Sequence, residues 1–106
     1  MNIEASMHLD HVSINVESID RSVEWYVLKL NAIVDYQDET WAMLKIGDTS
    51  LALTVSKQHP PHIAFCVKDI SELPEPLGKC GTHRDGSKYI YTRDPDGNVI
   101  EYIHWP

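Results

Sequence analysis

Two nine-residue stretches constrain this chain more than anything else in it. "HVSINVESI" begins at His11 and "HIAFCVKDI" begins at His62, about half a chain later. Both read His, β-branched, small, apolar, small polar, Val, two polar residues, Ile. A repeat at half length implies two copies of one supersecondary unit, neither able to bury its apolar face alone. The copies are therefore expected to pack together as one domain. Module one spans about 8–56, a linker about 57–61, and module two about 62–106.

The first copy can be read through. Residues 11–16 alternate, with Val12, Ile14 and Val16 on one face and His11, Ser13 and Asn15 on the other, as in a half-buried strand. In "SIDRSVEWYVLKLN", Val23, Tyr26, Val27 and Leu30 fall on one helical face. Ser18 or Asp20 can cap the helix start, and Asn31 can take the left-handed position that ends it. Strands are expected at 32–37, 41–46 and 50–55, the last two joined by the turn "GDTS". "SKQHPPH" interrupts the pattern. The second copy then predicts a strand at 62–67, a short helix at about 70–79, and strands at 82–84, 88–93 and 98–104. Pro74 and Pro76 keep that helix short, and "DPDGN" supplies the last turn. The expected class is α+β: two β-α-β-β-β modules, whose mixed sheet cups a site if both copies curl toward each other.

Alternation then assigns chemistry to a face. In 62–67, Ile63, Phe65 and Val67 are expected to face the helix, leaving His62, Ala64 and Cys66 opposite. In "NVIEYIH", Ile100 and Tyr102 suit the helix face, leaving Val99, Glu101 and Ile103 opposite. His11, His62 and Glu101 thus share the face away from the helices. Two neutral imidazoles and a carboxylate form a set that holds a divalent metal and leaves positions open. A metal also explains a carboxylate inside an apolar strand, since an unpaired buried charge is costly. The place matching Glu101 in module one falls near Ala52, which offers no ligand. Ser13 and Cys66 point into the same cavity, where small side chains leave room for a substrate.

Plainer readings exist for each residue. His11 and His62 can be core-edge histidines bonded to backbone, and Glu101 can pair with Arg93 or Lys88 across its hairpin. His8, His59, His83 and His104 read as surface residues, although His83 sits in a loop able to overhang the cavity. Trp25, Trp41 and Trp105 read as packing residues.

The chain has 106 residues and a formal charge of −7. It has no block of Lys or Arg, so nucleic acid and anionic membranes are poor partners. No signal peptide and no membrane-length apolar run is visible. Cys66 and Cys80 lack a metal-type pairing and read as free thiols, which suits a cytoplasmic protein.

The chain resembles the vicinal oxygen chelate superfamily, also called the glyoxalase/bleomycin resistance protein/extradiol dioxygenase fold. The resemblance rests on "HVSINVESIDRSVEWYVLKLN", with Asn31 where a Gly is usual, on "HIAFCVKDI", and above all on the closing "YIYTRDPDGNVIEYI". It implies a metal held by His11, His62 and Glu101. It also marks Tyr91, ten residues before Glu101, as a catalytic or substrate-contacting phenol, and gives Glu101 a catalytic role besides its place among the ligands. Relatives similar to glyoxalase I or the acyl-CoA epimerases carry a fourth ligand where this chain has Ala52. The three-ligand pattern is closer to fosfomycin thiol transferases and extradiol dioxygenases. The later Arg and basic loop of the former, and the extra catalytic His of the latter, have no match here.

The resemblance implies a metal-dependent enzyme with lyase, thiol transferase or dioxygenase chemistry on a small oxygen-chelating substrate. Fe, Mn, Ni, Zn or Co would each suit the ligands. The alternatives are a non-catalytic, bleomycin-resistance-like binding protein, or a metal-bound sensor domain. A homodimer is expected, with two arrangements open. The modules pair within one chain, or they swap so that His11 comes from one subunit and His62 with Glu101 from the other.

Overall fold

The computed structural model describes residues 7–55, 59–68, 81–82 and 86–105. These form one α-helix and eight strands of a mixed sheet. Two compact units divide the chain, one of residues His11–His62 and one of Met1–Asp10 with Ile63–Pro106.

In the unit His11–His62, β1 (Met7–Val16) leads into α1 (Ile19–Leu30), β2 (Ile33–Gln37), β3 (Trp41–Ile46) and β4 (Thr49–Val55). The expected β-α-β-β-β order is complete here. Ser18 sits in extended conformation and its hydroxyl accepts from the Arg21 amide at 3.3 Å, so Ser18 is the cap and Asp20 falls in the first turn. Such a bond satisfies one of the amides a helix start leaves open. Asn31 ends the helix at φ 54, and its amide bonds back to the Tyr26 carbonyl. The buried stripe is Ile19 and Val23 with Tyr26 partly covered, whereas Val27 and Leu30 are exposed. The helix is thus rotated from the expected face toward Ile19. Beyond its last turn Ala32, not Leu30, fills the buried place.

The strand order in this unit is β2-β3-β4-β1, antiparallel except for the parallel pair β1–β4. Ala42, Leu44 and Leu53 are the buried centre under α1, with Ile14, Val16, Leu51 and Val55 around them. Burying a Leu of this kind stabilises by roughly 1.5–3 kcal/mol. Register places Tyr36, Met43, Ala52 and Ser13 in one row on the opposite face, and Trp41, Thr54 and Asn15 in the next. Asp38 knots the β2–β3 loop. It accepts from Tyr36 Oη at 2.6 Å, Thr40 N at 2.7 Å and Trp41 N at 2.9 Å. These donors, the Tyr36 hydroxyl first, hold its carboxyl well below the usual carboxylate range.

In the other unit the order is β5-β8-β7-β6, with β5 (His62–Val67), β6 (Gly81–Thr82), β7 (Lys88–Arg93) and β8 (Val99–His104). The 62–67 and 88–93 expectations match, and 98–104 begins one residue later. The expected helix 70–79, most of strand 82–84, Cys80 and His83 lie outside the described residues. Ile63 is 38% exposed, against the helix-covered face expected for it. Asp94 builds the last turn. Its carboxylate accepts from the Asn98 side chain at 2.8 Å and from the Asp96 and Asn98 amides at 2.9 and 2.8 Å, while Gly97 takes φ 90. The Asn98 side chain is the foremost cause of the lowered Asp94 pKa.

Candidate metal centre

His11 stands mid-strand on β1, two residues before Ser13 and on the same face. His62 opens β5, and the two imidazoles meet edge to face with centroids 5.5 Å apart. Both are 8% exposed. His62 Nδ1 lies 2.9 Å from the Pro60 carbonyl oxygen. A carbonyl only accepts, so this nitrogen carries the proton, and in the neutral ring Nε2 carries the lone pair. Metal-ligating histidines are oriented by this kind of bond.

Glu101 lies on β8, directly across from Tyr91 on β7, and is 2% exposed. A carboxylate removed from water this far needs hydrogen-bond donors or a cation. One donor is the Tyr91 hydroxyl. Tyr91 is half-buried, and its pKa is driven up first by burial, then by the adjacent Glu101 and Tyr89, so the phenol keeps its proton. Each of His11, His62 and Glu101 offers one ligand atom, and the three atoms lie within 4.8 Å of one another. Among the described residues no other group of His, Cys, Asp and Glu side chains meets in this way. Two imidazole nitrogens and one carboxylate oxygen at that spacing suit a divalent transition metal. The set is incomplete as a coordination sphere, so further positions are left for oxygen ligands.

The other assigned residues fall out differently. Ser13 is 2% exposed, and its hydroxyl has no hydrogen-bond partner among the described residues. Cys66 is half-buried with its thiol over the Val67 carbonyl, and burial, then the charge of Asp10, raises its pKa. The alternative partners of Glu101 do not reach it. Lys88 lies on the other face of β7 and donates to Thr82 Oγ1 at 2.7 Å, and Arg93 donates to the Gly97 carbonyl at 2.8 Å. His104 is more than a surface residue, since its Nδ1 lies 3.2 Å from the Val67 carbonyl in a half-buried setting. His8 and His59 are exposed as expected. Trp41 packs, stacked on Tyr36 at 4.7 Å, whereas Trp25 and Trp105 are exposed large apolar residues. Ala52, at the place where a fourth ligand would stand, pairs with Ser13 and Met43 and is buried.

Sequence reasoning passed over Tyr89 and Gly81. Tyr89 lies two residues before Tyr91 on the same face, and the rings meet edge to face at 5.4 Å. The alternation "YIY" opposite Glu101 was the available signal.

The model of the Glyoxalase/Bleomycin resistance protein/Dioxygenase superfamily matches residues 8–73, more than half of the chain. The chain belongs to this superfamily. Solved structures agree on the fold. A hypothetical protein from Bacillus halodurans C-125 shares 22% identity at a TM-score of 0.78, with 96% of each chain covered. Methylmalonyl-CoA epimerase from Mycobacterium tuberculosis shares 19% identity at 0.71, covering 92% of this chain and 87% of that one. A superfamily member from Vibrio splendidus 12B01 shares 15% at 0.70, covering 92% and 97%. Among curated proteins none matches significantly.

Proposed function

We propose that the protein is a divalent-metal-dependent enzyme of this superfamily, acting on a small substrate that offers two neighbouring oxygens. The observation that carries this reading is the meeting of His11, His62 and Glu101, with the carboxylate almost fully withdrawn from solvent. His62, with its proton fixed on Nδ1 by the Pro60 carbonyl, presents Nε2. His11 supplies the second nitrogen, and Glu101 supplies negative charge and one oxygen. Fe, Mn, Ni, Zn or Co suits this set, and when bound such an ion acts as a Lewis acid for developing oxyanions.

The chain's own groups do the rest. Tyr91, beside Glu101, holds a proton at its Oη and is the candidate acid. Ser13 offers an unpartnered donor, and Cys66 with Ser13 keeps the neighbourhood small, so both are assigned to the substrate. Ala52 separates this site from a four-ligand arrangement, so epimerase chemistry is not transferred from the structural neighbours. Lyase, thiol transferase and dioxygenase reactions remain the candidate classes. The protein is proposed to work as a cytoplasmic homodimer with a small-molecule substrate. No helix among the described residues is long and apolar enough to cross a membrane.

The test is elemental analysis of the purified chain beside His11→Ala and Glu101→Ala. One equivalent of metal in the parent and none in either folded variant is expected. Metal content unchanged in both variants sinks the assignment. Dicarbonyl–thiol adducts, catechols and electrophilic antibiotics then screen for turnover. Metal without turnover would favour a sensor, and no metal at all would favour a binding protein.

A further inference from the structure

Glu101 reaches its place from a strand, at the end of a flexible side chain, so its carboxylate must be oriented by something other than the backbone. Tyr91 stands directly across the hairpin and its hydroxyl hydrogen-bonds the carboxylate. Tyr91 is itself supported. The Tyr89 ring meets it edge to face, 5.4 Å between centroids and 67° between planes. Tyr89 is supported in turn by a gap. It pairs across the strands with Gly81, and its ring folds over that residue's backbone. A Cβ on Gly81 would stand 2.6 Å from Tyr89 Oη and 2.8 Å from Cε1, closer than real Cβ atoms come to a neighbour. Only a residue without a side chain lets the ring lie there. Gly81 belongs to β6, the two-residue strand at the end of the sheet order.

We infer that Gly81 and Tyr89 are positioning residues for the metal centre. Gly81 admits the Tyr89 ring, the ring fixes Tyr91, and Tyr91 ties down one oxygen of Glu101 so that the other is presented to the metal. The inference rests on the metal-centre reading above and adds to it a support that no ligand-by-ligand account contains. Outer partners of this type commonly change metal affinity by 10–100-fold when removed.

Cobalt(II) titration of the full chain tests it, read by visible absorption and by competition with a chelator. Tyr91→Phe keeps the ring and deletes the hydroxyl. It is expected to weaken cobalt binding by roughly 10-fold or more and to alter the absorption envelope, which a merely structural change would leave alone. Tyr89→Leu is expected to shift both readouts in the same direction by a smaller factor. Gly81→Ala is expected to behave like Tyr89→Leu, and to add nothing when combined with it, because its effect passes through that ring. If Gly81→Ala fails to fold, Tyr89→Leu alone decides. Parental affinity and spectrum in Tyr91→Phe or in Tyr89→Leu overturn the brace. An additive loss in the double variant also overturns it. A parent that binds cobalt and loses it in Glu101→Ala, while Tyr91→Phe binds normally, removes the brace and leaves the metal centre. A parent that binds no cobalt removes both.

Discussion

Strands β4 and β8 close the two modules in the same way, yet they carry different pairs at the place that matters. On β4, Ala52 lies across its hairpin from Met43. On β8, Glu101 lies across from Tyr91. Both Ala52 and Glu101 are buried. The first pair is packing, and it needs nothing from outside. The second pair takes a carboxylate out of water and sets a phenolic donor beside it, so it carries a buried charge where the first carries none. One scaffold thus holds an apolar pair in one module and a buried charged pair in the other. The buried charge, rather than the strand, marks the site.

The sharpest way to break this contrast is to write the second pair's chemistry into the first. Ala52→Glu places a charge at a buried position between Met43, which offers no donor, and Ser13, whose single hydroxyl can satisfy only one of the carboxylate's lone pairs. Without metal the variant is expected to lose about 3–5 kcal/mol of stability in urea unfolding, the size usual for an uncompensated buried charge. Added divalent metal is expected to return part of that loss, because the new carboxylate joins the ligand set. A variant as stable as the parent without metal would show that Ala52 is not shielded from water.

The converse change is Glu101→Gln. It removes the charge and keeps the shape, so metal-free stability is expected to stay level or rise by about 1 kcal/mol. The parent should gain roughly 2.7 kcal/mol at a metal concentration 100 times its Kd, and the variant should gain none. Thermal melts with and without metal measure both numbers. A metal-free variant that is less stable than the parent would mean that the buried charge itself stabilises the fold.

Ser13 belongs to the same row as Ala52. Its unpartnered hydroxyl is expected to cost stability, since an unsatisfied buried polar group costs about 1–3 kcal/mol. Ser13→Ala should therefore raise the unfolding free energy by about 1–2 kcal/mol and weaken substrate binding. Loss of stability would instead give the hydroxyl a structural role.

The parts of this molecule that were legible in its sequence are those governed by short-range rules. Period-two alternation placed β1, β5 and β8. Ser18 and Asn31 bounded the helix because a cap and a left-handed residue act on their nearest neighbours. The half-length repeat identified His11 and His62, and alternation added Glu101. The helix face was misjudged because Val27 and Leu30 satisfy the period as well as Ile19 does, and only packing against Ala42, Leu44 and Leu53 selects among them. Lys88 and Arg93 look like partners of Glu101 because sequence shows charge and proximity, but not that Lys88 lies on the other face of β7 or that Arg93, on the same face as Glu101, turns to the Gly97 carbonyl. The Tyr89 brace was invisible for a related reason. Its cause is the missing side chain of Gly81, which has no chemistry of its own to notice and meets Tyr89 only through strand pairing.

The smallest expected effects compare how the two modules fill a left-handed backbone position. The first module uses Asn31 at φ 54 to end α1, and the second uses Gly97 at φ 90 in the Asp94 turn. A Cβ on Gly97 would meet nothing within 4 Å, so Gly97→Ala carries only the backbone cost, about 1 kcal/mol. Asn31→Gly relieves the same strain and is expected to stabilise by only a few tenths of a kcal/mol, because glycine also gains freedom in the unfolded chain. Chemical denaturation of the two single variants measures the difference. If Gly97→Ala proved harmless, the Asp94 carboxylate, with its three hydrogen bonds, would be holding the turn closed whatever residue stands at 97. The two left-handed positions would then differ in kind, one set by the residue itself and the other imposed by a neighbour.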